Sequence, residues 1–306
     1  SNILKGGASK PASPAARPTA KPRPDPKAEN NYIIVILDSL RYDAFCKADP
    51  KVITRLTGGE VERRWTYASW TAPSHYNLLT GLLPHHSPQN VFASEYYKED
   101  FLNYNKRLGT KDMEFGKLVP HLWLPTFLQE GLGYRTHAKV SLPVLNNQTG
   151  INRGFDTFQL MDSHNDMNSM LDEMTFPEDR PSFYMLNVGE THYPYATPDE
   201  DPSEWPKISG VHGVFKHMGD AVSETEEEGP KFFDQDRLDT LRDRQVHTVN
   251  YLEGVFERLF DMVPKNTFIT VTADHGELFG EKGYFGHGPI QHDKVYEVPF
   301  LEGKIR

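Results

Sequence analysis

Cysteine is almost absent from this chain. Cys46 is the single cysteine in 306 residues, which excludes an internal disulfide framework and a metal site built on several thiolates. An excess of basic residues is also lacking, because 33 Lys and Arg stand against 43 Asp and Glu, for a formal net charge of −10. A nucleic-acid partner is therefore not expected.

Long apolar runs are missing as well. No stretch is long enough to span a bilayer, and no signal-peptide pattern opens the chain, so we expect a soluble segment without a membrane span. Together with the scarcity of cysteine, this slightly favours a cytoplasmic location and leaves the localisation otherwise unknown.

Bulky apolar residues are scarce in residues 1–30, which are rich in Pro, Ala and Lys. This composition predicts a disordered linker, and a linker suggests that the segment is part of a longer chain. Residues 31–306 are then predicted to form one catalytic domain, with a C-terminal subdomain that is short or absent.

Apolar runs alternate with helical patterns through residues 31–306. The alternation predicts an α/β fold, a doubly wound and mostly parallel sheet with helices on both faces. The predicted strands are Asn31–Leu37, Tyr134–Val140, Phe183–Val188 and Phe268–Thr272, and the predicted helices are Ser39–Lys47, Leu124–Gly131 and Leu238–Leu259. The acidic segment Thr197–Asp236 is interpreted as a surface loop and a candidate lid.

A hydroxyl stands where a helix is predicted to begin, in the segment Ser69–Gly81. Pro73 suits a first helical turn, so Thr71 should lie just before the free backbone N–H groups of that helix. Such groups favour a bound anion. Taken alone, Thr71 is equally explained as a simple N-cap.

Polar residues follow the predicted strands at their carboxyl ends, where open α/β sheets place ligand sites. Asp38 follows the first strand, and Asp274 and His275 follow the last. With Thr71, these oxygen and nitrogen donors suit one divalent metal ion; Zn or Mn is favoured, and Mg or Ca is possible. Each residue alone also has a plain structural explanation, as a helix cap or a turn residue.

Three segments in this order resemble the site motifs of the sulfatase-like branch of the alkaline phosphatase superfamily. They are Asp38–Asp43, Trp70–His75 with Thr80–Gly81, and Asp274–Glu277; the resemblance continues through Gly154–Asp156, Thr191–Pro194, Gly286–Gly288 and Tyr296–Pro299. It implies a metal at the strand ends, a nucleophile at a helix start, and transfer of a phosphoryl or sulfuryl group through a covalent enzyme intermediate.

The threonine at position 71 decides the subclass that the resemblance implies. Sulfatases oxidise a Cys or Ser here to an aldehyde that Thr cannot form. Thr71 resembles instead the nucleophile of the superfamily's phosphodiesterases, phosphonate hydrolases and phosphoethanolamine or glycerol-phosphate transferases. We therefore expect a metal-dependent hydrolase or transferase acting on a phosphate ester, a diester or substituted monoester of a small molecule, lipid or sugar, through a phosphothreonine intermediate.

Two alternatives stay open at this stage. One is a sulfatase or phosphonate hydrolase that uses the unmodified nucleophile, and the other is a non-catalytic docking domain with the same fold. The number of metal ions is also open, because Glu190 to Pro194 departs from the ligand pattern of two-metal relatives.

Further polar residues are assigned around the substrate. The resemblance implies that His192 binds the anion or protonates the leaving group, and that His287 binds the anion or a second metal. His75 takes a position where many sulfatases have Arg, and His292 and Lys294 add positive charge to the rim. Glu190 is either a ligand or a strand-end cap.

Overall fold

A seven-stranded sheet organises the computed structural model, which describes residues 22–86, 90–114, 123–206, 208 and 234–305. The strands of this sheet are β1 Asn31–Leu37, β2 Glu62–Trp65, β3 Arg135–Val140, β4 Thr157–Leu160, β5 Ser182–Val188, β6 Thr267–Thr272 and β9 Glu297–Lys304. A separate two-stranded hairpin comprises β7 Leu278–Phe279 and β8 Phe285–Gly286. The strand order in the sheet is β2-β9-β6-β1-β5-β3-β4.

The centre of the sheet is parallel. Strand β1 pairs in parallel with β5 and β6, and β3 does so with β4 and β5, whereas β9 runs antiparallel to β6 and β2. Every residue of β1 and β5 is buried, as their near-continuous apolar sequences predict for strands covered on both faces. The predicted mostly parallel α/β sheet is confirmed.

Helices cover both faces of the sheet. The α-helices are α1 Tyr42–Ala48, α2 Lys51–Thr57, α3 Thr71–Leu79, α4 Ala93–Leu108, α5 Leu124–Thr126, α6 Met167–Asp172, α7 Gln235–Met262 and α8 Asp293–Tyr296. The predicted helix 124–131 is divided, because α5 is followed by a π-helix at Phe127–Gly131. None of the helices in the described ranges combines the length and apolar character that crossing a membrane requires.

Alternate residues of β1 build the two cores. Ile33, Val35 and Leu37 pack with the apolar face of α7. Tyr32, Ile34 and Ile36 face the other way and pack with residues of α3 and α4. Because side chains of a strand alternate between its faces, one apolar run supplies both layers of the sandwich.

A buried polar group lies near the amino ends of the strands. The Arg107 guanidinium is fully buried, and its Nε lies 2.8 Å from Oε2 of Glu302. The same oxygen accepts a hydrogen bond from Thr270 at 3.0 Å, and the Asn30 side chain donates to the Arg107 carbonyl at 3.2 Å. This group connects α4, β9 and the start of β1.

Residues 22–30 are irregular but attached to the domain, unlike the disordered linker to which the sequence assigns them. Lys27 N donates to Leu132 O at 3.1 Å, and Asn30 is buried. Arg23 pairs with Asp156 at 2.5 Å. Residues 1–21, the rest of the predicted linker, lie outside the described residues, as does most of the predicted acidic loop at 207 and 209–233.

Candidate active site

Three adjacent parallel strands deliver polar residues to one edge of the sheet. Asp38 follows β1, Glu190 and Thr191 follow β5, and Asp274 follows β6; all four residues are buried. The segments are also bonded to one another, because the Thr191 hydroxyl donates to the Asp38 carbonyl at 2.6 Å. The carboxyl ends of the central strands therefore meet, as the topology requires.

Thr71 is the first residue of α3, and the extended residue Trp70 precedes it. The helix thus begins one residue earlier than the sequence pattern suggests. The first N–H groups of a helix have no partner within it, so the Thr71 hydroxyl lies at the positive end of α3. Its Oγ1 is 3.3 Å from Nε2 of His275, and the residue is only 4% exposed.

Asp38, Asp274 and His275 form a group of candidate metal ligands whose donor atoms all lie within 4.8 Å of one another. His275 Nδ1 lies 2.7 Å from Gly276 O, so Nδ1 carries the hydrogen and Nε2 faces the carboxylates with its lone pair. Oδ2 of Asp274 is buried without a hydrogen-bond partner among the described residues. Two carboxylates, an imidazole and a hydroxyl fit one divalent ion.

The charges in this group support the same fit. Burial and the neighbouring Asp38 hold the pKa of Asp274 well above its usual value. Burial opposes ionisation of Asp38 too, yet His192 and His275 lower its pKa to about 2. Burial and His287 lower the pKa of His275 to about 3, which keeps this imidazole in its neutral, metal-binding form. Two adjacent buried carboxylates favour a cation beside them.

Two further histidine rings lie against the group. The ring centroid of His287 is 4.1 Å from that of His275 and 6.1 Å from that of His192. Nδ1 of His192 lies 2.8 Å from the Tyr193 carbonyl, and Nδ1 of His287 lies 2.7 Å from Oε1 of Glu277. Burial lowers the pKa of His287, but the Glu277 carboxylate outweighs it and raises that pKa above its usual value.

His75 is placed differently from the sequence prediction. The residue is fully buried, with Nδ1 2.8 Å from Thr71 O and Nε2 3.3 Å from Nδ2 of Asn187. Both ring nitrogens are used within the protein, one helical turn after Thr71, and Nδ1 also lies 3.7 Å from Oδ2 of Asp274. We therefore correct its assignment to a supporting role.

Asn187 is a residue of the site that the sequence analysis missed. Its side-chain amide donates to Oδ2 of Asp38 at 2.9 Å, and its carbonyl oxygen accepts from the backbone N–H groups of Ser141 and Leu142 at 3.1 Å each. The sequence carries a signal for it, since Asn187 is the one amide in β5 and lies between apolar residues near the carboxyl end of that strand.

His292 and Lys294 make contacts of their own, and their assignment to the substrate rim stays a prediction. Nδ1 of His292 accepts from Lys294 N at 3.0 Å and caps α8. The Lys294 ammonium lies 3.5 Å from Glu297 and 3.7 Å from Asp43. Glu190 does not join the metal-ligand group, and its Oε2 instead accepts from Met167 N at 3.2 Å.

A search with protein-family models matches residues 30–301 to the model described as Sulfatase. The chain belongs to the sulfatase family. A search of curated protein sequences gives no match.

Solved structures of the same fold are similar to this sulfatase-family chain. One is the C-terminal periplasmic domain of EptC from Escherichia coli in complex with Zn, with a TM-score of 0.54 and 13% identity over 93% of this chain and 75% of that one. Another is a 2-O GAG sulfatase, with a TM-score of 0.53 and 14% identity over 90% of this chain and 64% of that one. At these identities the likeness establishes the fold alone.

Proposed function

We propose that this domain is a metal-dependent hydrolase or transferase of phosphate esters, with Thr71 as the nucleophile. The observation that carries the proposal is the position of the Thr71 hydroxyl. It lies at the first turn of α3 and 3.3 Å from Nε2 of His275, beside two buried carboxylates. A threonine with an ordinary capping role has no need of such a ligand group.

Asp38, Asp274, His275 and the Thr71 hydroxyl would hold one divalent ion, Zn or Mn by the mixture of oxygen and nitrogen donors. A bound ion supplies Lewis-acid stabilisation of charge on the ester oxygens and lowers the pKa of the Thr71 hydroxyl. Oδ2 of Asp274, which has no hydrogen-bond partner in the described part of the chain, is the donor atom that most needs this ion.

The reaction would proceed in two displacements. Thr71 Oγ1 would bond to phosphorus and release its proton to solvent water, while the bond from phosphorus to the leaving oxygen breaks. His192 would give a proton to that oxygen from Nε2, because its Nδ1 is directed at the Tyr193 carbonyl. Water or an acceptor alcohol would then attack phosphorus and return a proton to Nε2 of His192, while the bond from phosphorus to Oγ1 breaks and Oγ1 regains a proton from solvent.

Substitution of the nucleophile tests this proposal. Wild type, Thr71→Ala and Thr71→Ser would be assayed on aryl phosphate monoesters, diesters, phosphonates and sulfates, with bound metal measured in each preparation. We expect Thr71→Ala to keep a bound ion but lose turnover by at least about 10³-fold, and Thr71→Ser to retain part of it. Mass spectrometry of acid-quenched wild type should show a phosphorylated peptide containing Thr71.

Thr240→Ala is the matched control, because Thr240 is exposed and its hydroxyl donates to Asp236 O of its own helix. Diesterase activity that survives in Thr71→Ala would refute the mechanism. A clear preference for sulfate esters would favour the alternative chemistry of the similar 2-O GAG sulfatase fold. Failure of the wild-type chain to bind a stoichiometric divalent ion would favour a docking domain.

A further inference from the structure

The β7–β8 hairpin places Glu277 directly across from His287. Leu278 pairs with Gly286 in antiparallel register, so the residue before β7 and the residue after β8 continue that register. Oε1 of Glu277 lies 2.7 Å from Nδ1 of His287. Cross-strand neighbours of this kind are held by the backbone pairing as well as by their own hydrogen bond.

The Glu277 carboxylate is itself immobilised. Its second oxygen accepts a hydrogen bond from the Tyr195 hydroxyl at 2.6 Å, and both residues are buried. Tyr195 packs on the Phe279 ring with a centroid separation of 5.5 Å. The Arg41 guanidinium also donates to the Glu277 backbone carbonyl at 3.3 Å. Hydrogen bonds to both carboxylate oxygens and to the backbone of Glu277 therefore hold this side chain in one orientation.

His287 is the group on which this arrangement acts. Its side chain is 24% exposed, in contrast to fully buried His275 beside it, so the ring borders both the ligand group and solvent. A carboxylate at Nδ1 accepts the hydrogen there and leaves the lone pair on Nε2. A buried anion that served only the hairpin would not need an imidazole partner at the site edge.

We propose that Glu277 and Tyr195 are positioning residues that fix the Nδ1–H tautomer and the ring orientation of His287. Nε2 of His287 is thereby directed away from Glu277, at the partly exposed edge of the ligand group. This inference rests on the proposed function for its effect on turnover, whereas the tautomer of His287 is a property of the protein itself.

Three variants of the full chain test the proposal, with nitrogen NMR of labelled histidine as the main readout. His287→Gln assigns the resonances of His287 by their disappearance. At a pH high enough for the ring to be neutral, we expect the Nδ1–H tautomer in wild type and a shift towards Nε2–H in Glu277→Leu. Glu277→Gln keeps an acceptor and should restore the wild-type tautomer. Tyr195→Phe should keep the tautomer as well, because it removes only the outer hydrogen bond.

Steady-state kinetics on an aryl phosphate ester supply the second readout. We expect Glu277→Leu to lower kcat about 10- to 100-fold with little change in KM and in bound metal, and Glu277→Gln to recover most of the loss. Tyr195→Phe should lower kcat only a few-fold. Lys282→Gln is the matched control, because Lys282 belongs to the turn of the same hairpin and its side chain is exposed. Its kcat should stay within about 3-fold of wild type.

The two readouts separate the possible failures. An unchanged His287 tautomer in Glu277→Leu overturns the positioning role, and so does an equal loss of kcat in Lys282→Gln. If wild type turns over none of the esters, the proposed function fails while the tautomer shift still decides the role of Glu277. Should Glu277→Leu not fold, a mixed tautomer of His287 in wild type would refute the proposal and a single Nδ1–H form would support it.

Discussion

Replacing Asn187 by Leu should cost this protein several kcal/mol of stability, although the two side chains are similar in size. Asn187 is fully buried in β5, and its amide group makes hydrogen bonds to four partners. Ser141 N keeps a second bond, to the Asn187 backbone carbonyl at 3.0 Å. The substitution therefore leaves Leu142 N, His75 Nε2 and Asp38 Oδ2 without this partner.

The magnitude follows from these three orphaned groups. A buried donor or acceptor left unsatisfied costs about 1 to 3 kcal/mol, and more if it is charged. We therefore expect a loss of roughly 3 to 6 kcal/mol, after some relief from the added apolar contact of Leu. Such a loss is a large part of the about 5 to 15 kcal/mol that stabilise a typical domain.

Urea unfolding monitored by fluorescence and circular dichroism would measure this loss in the metal-free protein, where metal binding does not mask it. Asn147→Leu is the control, because Asn147 is exposed in a turn and surface changes usually stay within about 0.5 kcal/mol. If Asn187→Leu lowers the free energy of unfolding by less than about 1 kcal/mol, the buried hydrogen bonds of this amide do not contribute to stability as argued.

Three other outcomes are expected. Burial raises the pKa of Glu190 to about 8 from its usual 4.5, so the folded state keeps a proton that the unfolded state releases. The stability of the protein should therefore fall as the pH rises from about 4.5 to 8, and Glu190→Gln should make the melting temperature less dependent on pH in that range. In Gly276→Ala the new Cβ would lie 1.9 Å from Lys294 O, and we expect the free energy of unfolding in urea to fall by about 1 to 3 kcal/mol or more. Gly254 lies on α7 with open space around it, so Gly254→Ala should raise the free energy of unfolding by about 0.5 to 1 kcal/mol. Asp274→Asn should weaken zinc binding at least about 10-fold in a chelator competition, and an unchanged affinity would remove Asp274 from the ligand set.

The sequence predicts the central strands well because their physical signal is local. A nearly continuous apolar run such as Asn31–Leu37 is buried on both faces when its strand lies between two layers of helices. The residue that follows the run then lies at the carboxyl edge of the sheet. The same argument predicts, from the sequence alone, that Asp38 and Asp274 lie close together. The helix start at Thr71 has a local signal of the same kind in Pro73.

The parts of the site that were missed depend on contacts between distant segments. The hairpin that pairs Glu277 with His287 has strands of two residues, too short to show any periodicity. His75 shows the opposite error, because its place in a motif suggested contact with substrate while the helical repeat turned it inwards. Likewise, the composition of residues 22–30 could not reveal bonds to Leu132 and Asp156 far along the chain.

The Arg107–Glu302 ion pair and the neighbouring carboxyl groups of Asp38 and Asp274 lie towards opposite ends of the same strands. The seven residues of β1 separate Asn30, which bonds to Arg107 O, from Asp38 by about 26 Å along the strand. Mutations at such a distance combine additively in most proteins. Stabilising substitutions near the amino ends of the strands should therefore leave the site at the carboxyl ends unchanged. Such stability could compensate for destabilising changes at the site that alter its substrate preference.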